Sequence, residues 1–485
     1  MSALAFTSFA LAALLLAGCA VGPDYRRPAP LGTNAMPVTF AGTTTSNLGD
    51  WKPAEPAAQL PRGAWWTILN DAELNRLQTL AATGNQELAV AAARFEQSRA
   101  LVNVARAGLF PQASALPAYT RQRSSLNLPQ NGVPAGASYT YNFFNLPLEA
   151  GWEADLWGRV RRQVESARAG LAASADDLAA ARLAVEAEIA ADYLTLRALD
   201  AEYVLLGQTV EAYRRSLELT HNRRRGGVVS DLDVSQAETQ LRTTAAQLPV
   251  VDLQRVKLRH ALATLCGQPA TGFALAVRTN ALPAVPAVPL LVPGELLERR
   301  PDVAAAERRM AAANAEVGVA QTAFYPRLQV GGLAGFQSIS ASTWFDWPSR
   351  AWAVGPSLEW PLFTGGRNRA QLAAARAAYD ATVAAYRLTV LNALQEVEDQ
   401  LAAQRLLAAQ ADEESAALIA ARRTLELADN RYRAGLVTYL EVAVAQSSAL
   451  THERTVVQLE AEQLAAGVAL IKALGGGWTT NRANR

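Results

Sequence analysis

The sequence predicts a mainly α-helical chain with a β part, in which one unit of long helices and a strand hairpin occurs twice. Three observations carry this reading. Asn222-Arg-Arg-Arg-Gly-Gly-Val-Val-Ser-Asp-Leu-Asp-Val234 aligns with Asn430-Arg-Tyr-Arg-Ala-Gly-Leu-Val-Thr-Tyr-Leu-Glu-Val442 at an offset of 208 residues. The same offset relates Gly158-Arg159 to Gly366-Arg367 and Gly267 to Gly475, so about 110 residues recur without an insertion, the mark of a duplicated structural unit. Second, the apolar period changes twice from helical to alternating, each time ahead of a Gly-Arg pair. Third, 158–225 and 366–433 are proline-free stretches of 68 residues, far longer than an ordinary globular helix.

The N-terminal segment Leu4 to Cys19 is apolar apart from Thr7 and Ser8, and is too short to span a membrane as a helix. It ends in Leu16-Ala17-Gly18-Cys19, which resembles the lipobox of bacterial lipoproteins. Small residues there admit a signal peptidase, and the thiol receives diacylglycerol. No Lys or Arg precedes the apolar run. Residues 1–18 are therefore expected to be a signal peptide, and Cys19 the lipid anchor. Residues 19–62, rich in Pro, Gly, Thr and Ala, are expected to form an extended tether from that anchor. With Cys19 acylated, Cys266 has no partner in the chain and reads as a small buried apolar residue.

The first repeat is placed at 63–267. Asp71 is a plausible N-cap for a helix that breaks at Gly84 and ends near Gly108, before Phe110-Pro111. A hairpin over 112–150 follows, its strands Gln112–Arg123 and Ser138–Glu149 separated by the Gly/Pro-rich loop 129–136. Tyr139, Tyr141 and Phe143 point one way, Thr140 and Asn142 the other. The second repeat, 294–475, has its hairpin at 327–362, with Trp352, Val354, Leu358 and Trp360 on one face and Ala353, Gly355, Ser357 and Glu359 on the other. About ten residues suffice for a tilted strand to cross a bilayer, and faces rich in Trp and Tyr suit its interfaces. Four strands cannot close a barrel, and open edges in lipid leave unsatisfied N–H and C=O groups. The chain must therefore oligomerise, and three copies would supply twelve strands, an even number within the range of outer-membrane barrels.

Each Gly-Arg pair opens a long helix, 158–225 and 366–433. Heptad-like spacing of Leu171, Leu178 and Val185, of Leu418, Leu425 and Tyr432, and of Val390, Leu394, Val397 and Leu401 suggests coiled coils. The rods end in tight turns at Gly226-Gly227 and Ala434-Gly435, and return helices are expected over 230–266 and 438–474. The basic run Arg223 to Arg225 sits at a helix end, where cations oppose the negative pole of the dipole. Residues 268–293, rich in Pro, Ala and Val, read as a connector, Pro301-Asp302-Val303 as the start of the next helix, and 476–485 as a tail.

Composition excludes several classes. Net charge is +1 and only 18% of residues are charged, without the clustered basic excess of a nucleic-acid partner. His221, His260 and His452 lack metal-ligand spacing. No Gly-x-Ser-x-Gly or P-loop pattern occurs, and Gly475-Gly-Gly477 lacks the Lys-Ser/Thr of a phosphate loop. No catalytic, metal or cofactor site is expected, apart from the covalent diacylglycerol and N-acyl (palmitate) lipid on Cys19.

The start Cys19-Ala-Val-Gly-Pro-Asp-Tyr25, the duplicated plan and the turn Tyr432-Arg-Ala-Gly-Leu-Val-Thr-Tyr-Leu-Glu-Val442 together resemble the TolC-like outer-membrane factors. The nearest branch is the NodT-type lipoprotein subunits of resistance-nodulation-division (RND) efflux systems. The resemblance implies a homotrimer in the outer membrane of a Gram-negative bacterium, with a twelve-stranded barrel and a periplasmic α-helical barrel. It implies a passive exit duct, opened by a periplasmic adaptor protein linked to an inner-membrane RND transporter. Gly227 and Gly435 fall at the adaptor-docking turns, where a C-cap role is compatible with docking. Asp233 and Tyr432 fall on positions that form one of the bonds holding the periplasmic gate closed, and Glu441 on an acidic ring. The family's second acidic position is Val444 here and its constricting Arg is Val437, so the gate is expected to be apolar as much as electrostatic. Two other readings are a type I protein-secretion channel, which a neighbouring pump gene would distinguish, and a structural coiled-coil lipoprotein without a pore, which conductance would distinguish.

Overall fold

The computed structural model describes residues 20–32, 34, 36–37, 40, 63–125, 139–277, 283 and 299–476. The helices are α1 (Ala72–Gly84), α2 (Gln86–Ala107), α3 (Arg159–Arg225), α4 (Asp231–Ala245), α5 (Gln247–Leu265), α6 (Pro301–Thr322), α7 (Arg367–Arg433) and α8 (Tyr439–Ala473). The strands are β1 (Gln112–Ala115), β2 (Ala118–Arg123), β3 (Thr140–Ala154), β4 (Arg327–Ser338) and β5 (Arg350–Glu359). The chain divides into two compact units. One comprises Met1–Pro28, Phe95–Ser174 and Ala306–Tyr386, the other Ala29–Arg94, Ala175–Ala305 and Arg387–Arg485.

The first unit contains an antiparallel sheet in which β1 and β2 both pair with β3, β3 with β4, and β4 with β5. β1 and β2 form one strand path interrupted at Leu116-Pro117. Ala115 faces Leu148 and Ala118 faces Asn145, so register is kept across the gap, and Pro117 and Pro147 simply bring no N–H to the ladder. The β3–β4 ladder runs from Phe144↔Ser338 to Ala154↔Leu328 and joins the two repeats' hairpins. Among the described residues, neither the outer edge of β1/β2 nor that of β5 has a strand partner.

Strand alternation and register assign the two faces. Phe144, Leu146, Leu148 and Trp152 of β3 share a face with Leu328, Val330 and Phe336 of β4 and with Trp352, Val354 and Leu358 of β5. Asn145, Glu149, Glu153, Gln329, Gln337, Ser357 and Glu359 occupy the other. This corrects the expectation for the first hairpin. β3 continues to Ala154, five residues beyond the expected end at Glu149, and its apolar face is the even-numbered one. Phe143 therefore lies on the face of the two glutamates, and Tyr141 with it. Aromatic groups bracket the apolar face. Tyr119, Phe144, Trp344 and Phe345 form a chain of ring contacts at 4.8, 5.3 and 4.9 Å near one end. Trp152 donates to the Leu109 carbonyl at 3.0 Å near the other, and Trp157, its ring tilted against that of Tyr325 at 4.9 Å, donates to the carbonyl of Pro326.

Residues 20–29, the start of the expected tether, carry neither helix nor strand and are held against the first unit. Val21 N–H donates to the Trp157 carbonyl, Arg162 reaches the carbonyls of Val21 and Gly22, and Asn314 reaches that of Pro23. Arg27 pairs with Glu307 at 3.2 Å. Ala20 lies so close to Gly158 that a Cβ there would stand 2.9 Å from it.

The second unit is packed helices. Leu74, Leu77, Ile189, Tyr193, Leu194, Leu262 and Leu470 are buried together, and Phe40 joins them. Asp71 caps α1 through the N–H groups of Glu73 and Leu74 and accepts a bond from the Tyr193 hydroxyl. Asp200, only 2% exposed, is gripped by Arg197 and Arg255, the pairing that a buried carboxylate requires. Cys266 is buried, with its thiol against the Leu77 carbonyl, and burial pushes that thiol up to about 11. The first return helix is not the single element expected over 230–266. It divides at Ala246, because the ring of Pro249 clashes with a carbonyl four residues back and brings no N–H. The second, α8, has no proline and runs unbroken for 35 residues.

Four helix ends repeat one motif. After α3, Val228 N–H bonds to the Arg223 carbonyl and Gly227 N–H to that of Arg224. After α7, Leu436 and Gly435 bond to Arg431 and Tyr432 in the same way. The pattern recurs after α5 at Gly267-Gln268 and after α8 at Gly475-Gly476. Each is a Schellman motif whose glycine takes the left-handed conformation.

Candidate functional site at the helical turns

The residues expected at the gate and at the docking turns lie within the second unit, around the α3–α4 and α7–α8 turns. Gly227 (φ 71°) and Gly435 (φ 76°) are the left-handed C′ residues of α3 and α7. A Cβ on either would meet nothing within 4 Å, so the glycines are required by backbone conformation, and the surface around them is open.

Asp233 has a role that sequence reasoning missed. It closes a capping box with Ser230 at the start of α4, its Oδ2 accepting from the Ser230 N–H at 3.0 Å and hydroxyl at 2.7 Å. Its Oδ1 accepts from the Tyr439 N–H, the first of α8, at 3.0 Å. Thr438, the residue before α8, supplies no side-chain cap, so one carboxylate serves two helix starts. Burial alone would raise the Asp233 carboxyl. The bonds from Ser230 and from the Tyr439 N–H outweigh it and hold the group below its ordinary value.

Asp233 and Tyr432 do not bond to one another. The Tyr432 hydroxyl pairs with Thr220 at 3.3 Å, and its ring meets that of Tyr439 edge-on at 5.5 Å. Tyr432 and Tyr439 are 2% and 0% exposed, packed with Ala237, Val442 and Ala445. Arg223 completes the arrangement. Its Nη1 donates to the Tyr432 carbonyl at 2.7 Å, its Nη2 to that of Arg433 at 3.0 Å, and its guanidinium lies over the Tyr432 ring. The basic run thus opposes a helix dipole, but for Arg223 the helix is α7, in the other repeat. Glu441 stands apart, in the first turn of α8, about half exposed and paired with Arg431 at 3.4 Å. Val437 packs against the Tyr432–Tyr439 cluster, while Val444 is exposed. Cys19 lies outside the described residues.

The described residues contain no group of three or more His, Cys, Asp or Glu arranged to hold a metal. Geometry here supports a mechanical role: two turns fastened by caps that run from one repeat to the other. A family model described as outer membrane efflux protein matches residues 77–268 and again 292–476. The chain belongs to that family. Among curated relatives, the efflux protein is 33% identical to outer membrane protein OprJ of Pseudomonas aeruginosa, over 97% of this chain and 96% of the relative. It is 32% identical to toluene efflux pump outer membrane protein TtgC of Pseudomonas putida, over 99% and 97%. Among solved structures, the outer-membrane channel OprN superimposes with a TM-score of 0.86 at 33% identity, covering 95% of this chain and all of the other.

The positions that sequence reasoning missed, Arg223, Ser230, Tyr439 and Arg431, carried a signal in the repeat. Ser230-x-x-Asp233 and Thr438-x-x-Glu441 both spell capping boxes at the 208-residue offset. Only the first is closed.

Proposed function

We propose that the chain is the outer-membrane exit duct of a tripartite efflux pump, conducting substrates passively out of the periplasm as a homotrimer. The observation that carries this is the sheet: one face apolar and bracketed by aromatic rings, both edges without a strand partner among the described residues, joined to two 67-residue helices. Phe144 to Trp152 is nine residues of β3, within the about 9–11 that a strand tilted about 45° needs to cross a bilayer. Three such sheets joined edge to edge make twelve strands and leave no open edge in lipid. The relative TtgC is a toluene efflux pump outer membrane protein and the matching family model is described as outer membrane efflux protein, which favours this branch over protein secretion.

The family's plan supplies the partners: a periplasmic adaptor meeting the open surface at Gly227 and Gly435, and an inner-membrane RND transporter behind it. In this reading Asp233 and Tyr432 stabilise the closed gate by fixing each chain's two turns together. Cys19 carries the lipid. Ala20, its neighbour, packs against Gly158 just past the end of β3, a fitting place for acyl chains to enter the inner leaflet of the outer membrane. Reconstitution into planar bilayers tests the duct, which should give discrete conductance steps. A folded, inserted protein that never conducts would refute it. Radiolabelled fatty acid should enter the wild type and not Cys19→Ser, and equal labelling would remove the anchor assignment.

A further inference from the structure

The apolar face of the sheet carries a few charges, and all are of one sign. Strand alternation and register place Arg121 and Arg123 of β2 and Arg350 of β5 on the face of Phe144, Leu146 and Trp352. No carboxylate shares that face in the described strands. Glu149, Glu153 and Glu359 all lie on the other.

The three arginines also share an end. Arg123 closes β2 and Arg350 opens β5, so they stand beside the hairpin loops, whereas the helices join the sheet at its opposite end. Over 118–145 and 336–353 these three face a single acid, Asp346, which leaves the hairpin end of each chain at +2. All three are exposed. Among the described residues no ion pair holds Arg121 or Arg350. The Arg350 guanidinium lies instead over the ring of Trp347 at 3.9 Å, itself 73% exposed. Arginine on a lipid-facing strand is costly in the middle of the apolar band and tolerated only near an interface.

We propose that these arginines dock a phosphorylated glycolipid of the outer leaflet, of the lipid A type, at each seam between chains: Arg350 of one chain and Arg121 and Arg123 of the next clamp its phosphate. This rests on the homotrimer reading above, in which β5 of one chain lies beside β1/β2 of the next. For the apolar face to stay continuous across the seam the register shift must be even, because an odd shift turns every side chain over. Stagger decides which residues then meet. β2 ends opposite Thr140, while β5 begins, through Phe336, in line with Leu146. Tilted strands of a barrel require such a stagger, and it brings the end of β2 and the start of β5 to one level. Three guanidiniums therefore gather on one face of two adjacent strands. Like charges opposed across strands destabilise a sheet, and phosphate oxygens are the counter-charge that the planar guanidinium fork fits. With the helices in the periplasm, the hairpin end meets the outer leaflet, whose lipid carries such phosphates. Trp347 adds an apolar surface at headgroup level, where Trp is favoured. Each seam holds one lipid.

Native mass spectrometry of the full-length protein in detergent reads chains and lipids together. Delipidated protein given bisphosphorylated lipid A should appear as three-chain particles carrying up to three lipids, and lipid stripped of both phosphates should be retained far less. Arg350→Gln and Arg121→Gln should each weaken retention about tenfold, as the loss of one charge-assisted contact implies. Arg327→Gln, on the opposite face, should leave it unchanged. Retention equal to wild type in three-chain particles of the combined Arg121→Gln and Arg350→Gln variant would overturn the site and leave the homotrimer standing. Single-chain particles before lipid is added would overturn the homotrimer reading and the seam with it. Millimolar inorganic phosphate should not displace the lipid; displacement would mark a free-anion site and overturn the lipid assignment.

Discussion

Asp233 concentrates the residue-scale argument, because a single carboxylate satisfies N–H groups at the starts of α4 and α8. Loss of one N-cap costs about 0.5–2 kcal/mol, so Asp233→Ala should lower stability by about 1–3 kcal/mol, read as a lower unfolding temperature. A gate held by this cap should also leak more in planar bilayers. The pH sign follows from its lowered value. The contribution is complete above the ordinary carboxylate value of about 3.9 and is lost as pH falls through the still lower folded value, so Asp233→Ala and wild type should converge in strong acid. Family likeness pointed to Asp233 and Tyr432 as expected gate positions. It did not reveal that Tyr439 stands between their roles, because a backbone N–H leaves no trace in a side-chain pattern. The bland reading of the Arg223–Arg225 run was sound for the dipole and silent about which helix Arg223 serves.

At the scale of elements, the four Schellman ends place the same glycine in two different surroundings. Gly435→Ala meets only left-handed strain, about 1–2 kcal/mol, since nothing lies within 4 Å of its Cβ. A Cβ on Gly267 would overlap the Gly84 carbonyl, so Gly267→Ala should be clearly more damaging, with folded yield and unfolding temperature both falling below those of Gly435→Ala. Asn85 and Arg300 serve equivalent helix ends, donating to the carbonyls of Leu265 and Ala473, although their chemistry differs and sequence spacing did not pair them. In mid-α3, burial pushes the Glu186 carboxyl up to about 7, against the pull of Arg182. A carboxyl raised on folding favours the neutral form, so its stabilising share is present below its unfolded value and lost as pH rises through 7. Glu186→Gln should therefore raise the unfolding temperature at pH 8 and change it little at pH 4. The long helices were legible from missing prolines and heptad spacing. The division at Ala246 was equally written in Pro249, but the apolar pattern on either side masked it. Strand faces were harder, because β3 outruns its alternating stretch and the aromatic odd positions drew the eye from the apolar even ones.

For the whole molecule, the duplication was readable because an offset of 208 residues holds through both turns and both helix-end glycines. Incompleteness was readable as well, since four strand paths with lipid-length apolar faces cannot satisfy their own edges. What the sequence could not show is that the β3–β4 ladder fuses the two hairpins into one continuous sheet, as strand pairing across repeats is a long-range choice without a local signal. The central claim is that one chain supplies a third of a barrel wall. Native mass of the detergent-solubilised protein, corrected for bound detergent, tests it most directly. Three chains per particle are predicted, and a stable particle of a single chain would contradict the account.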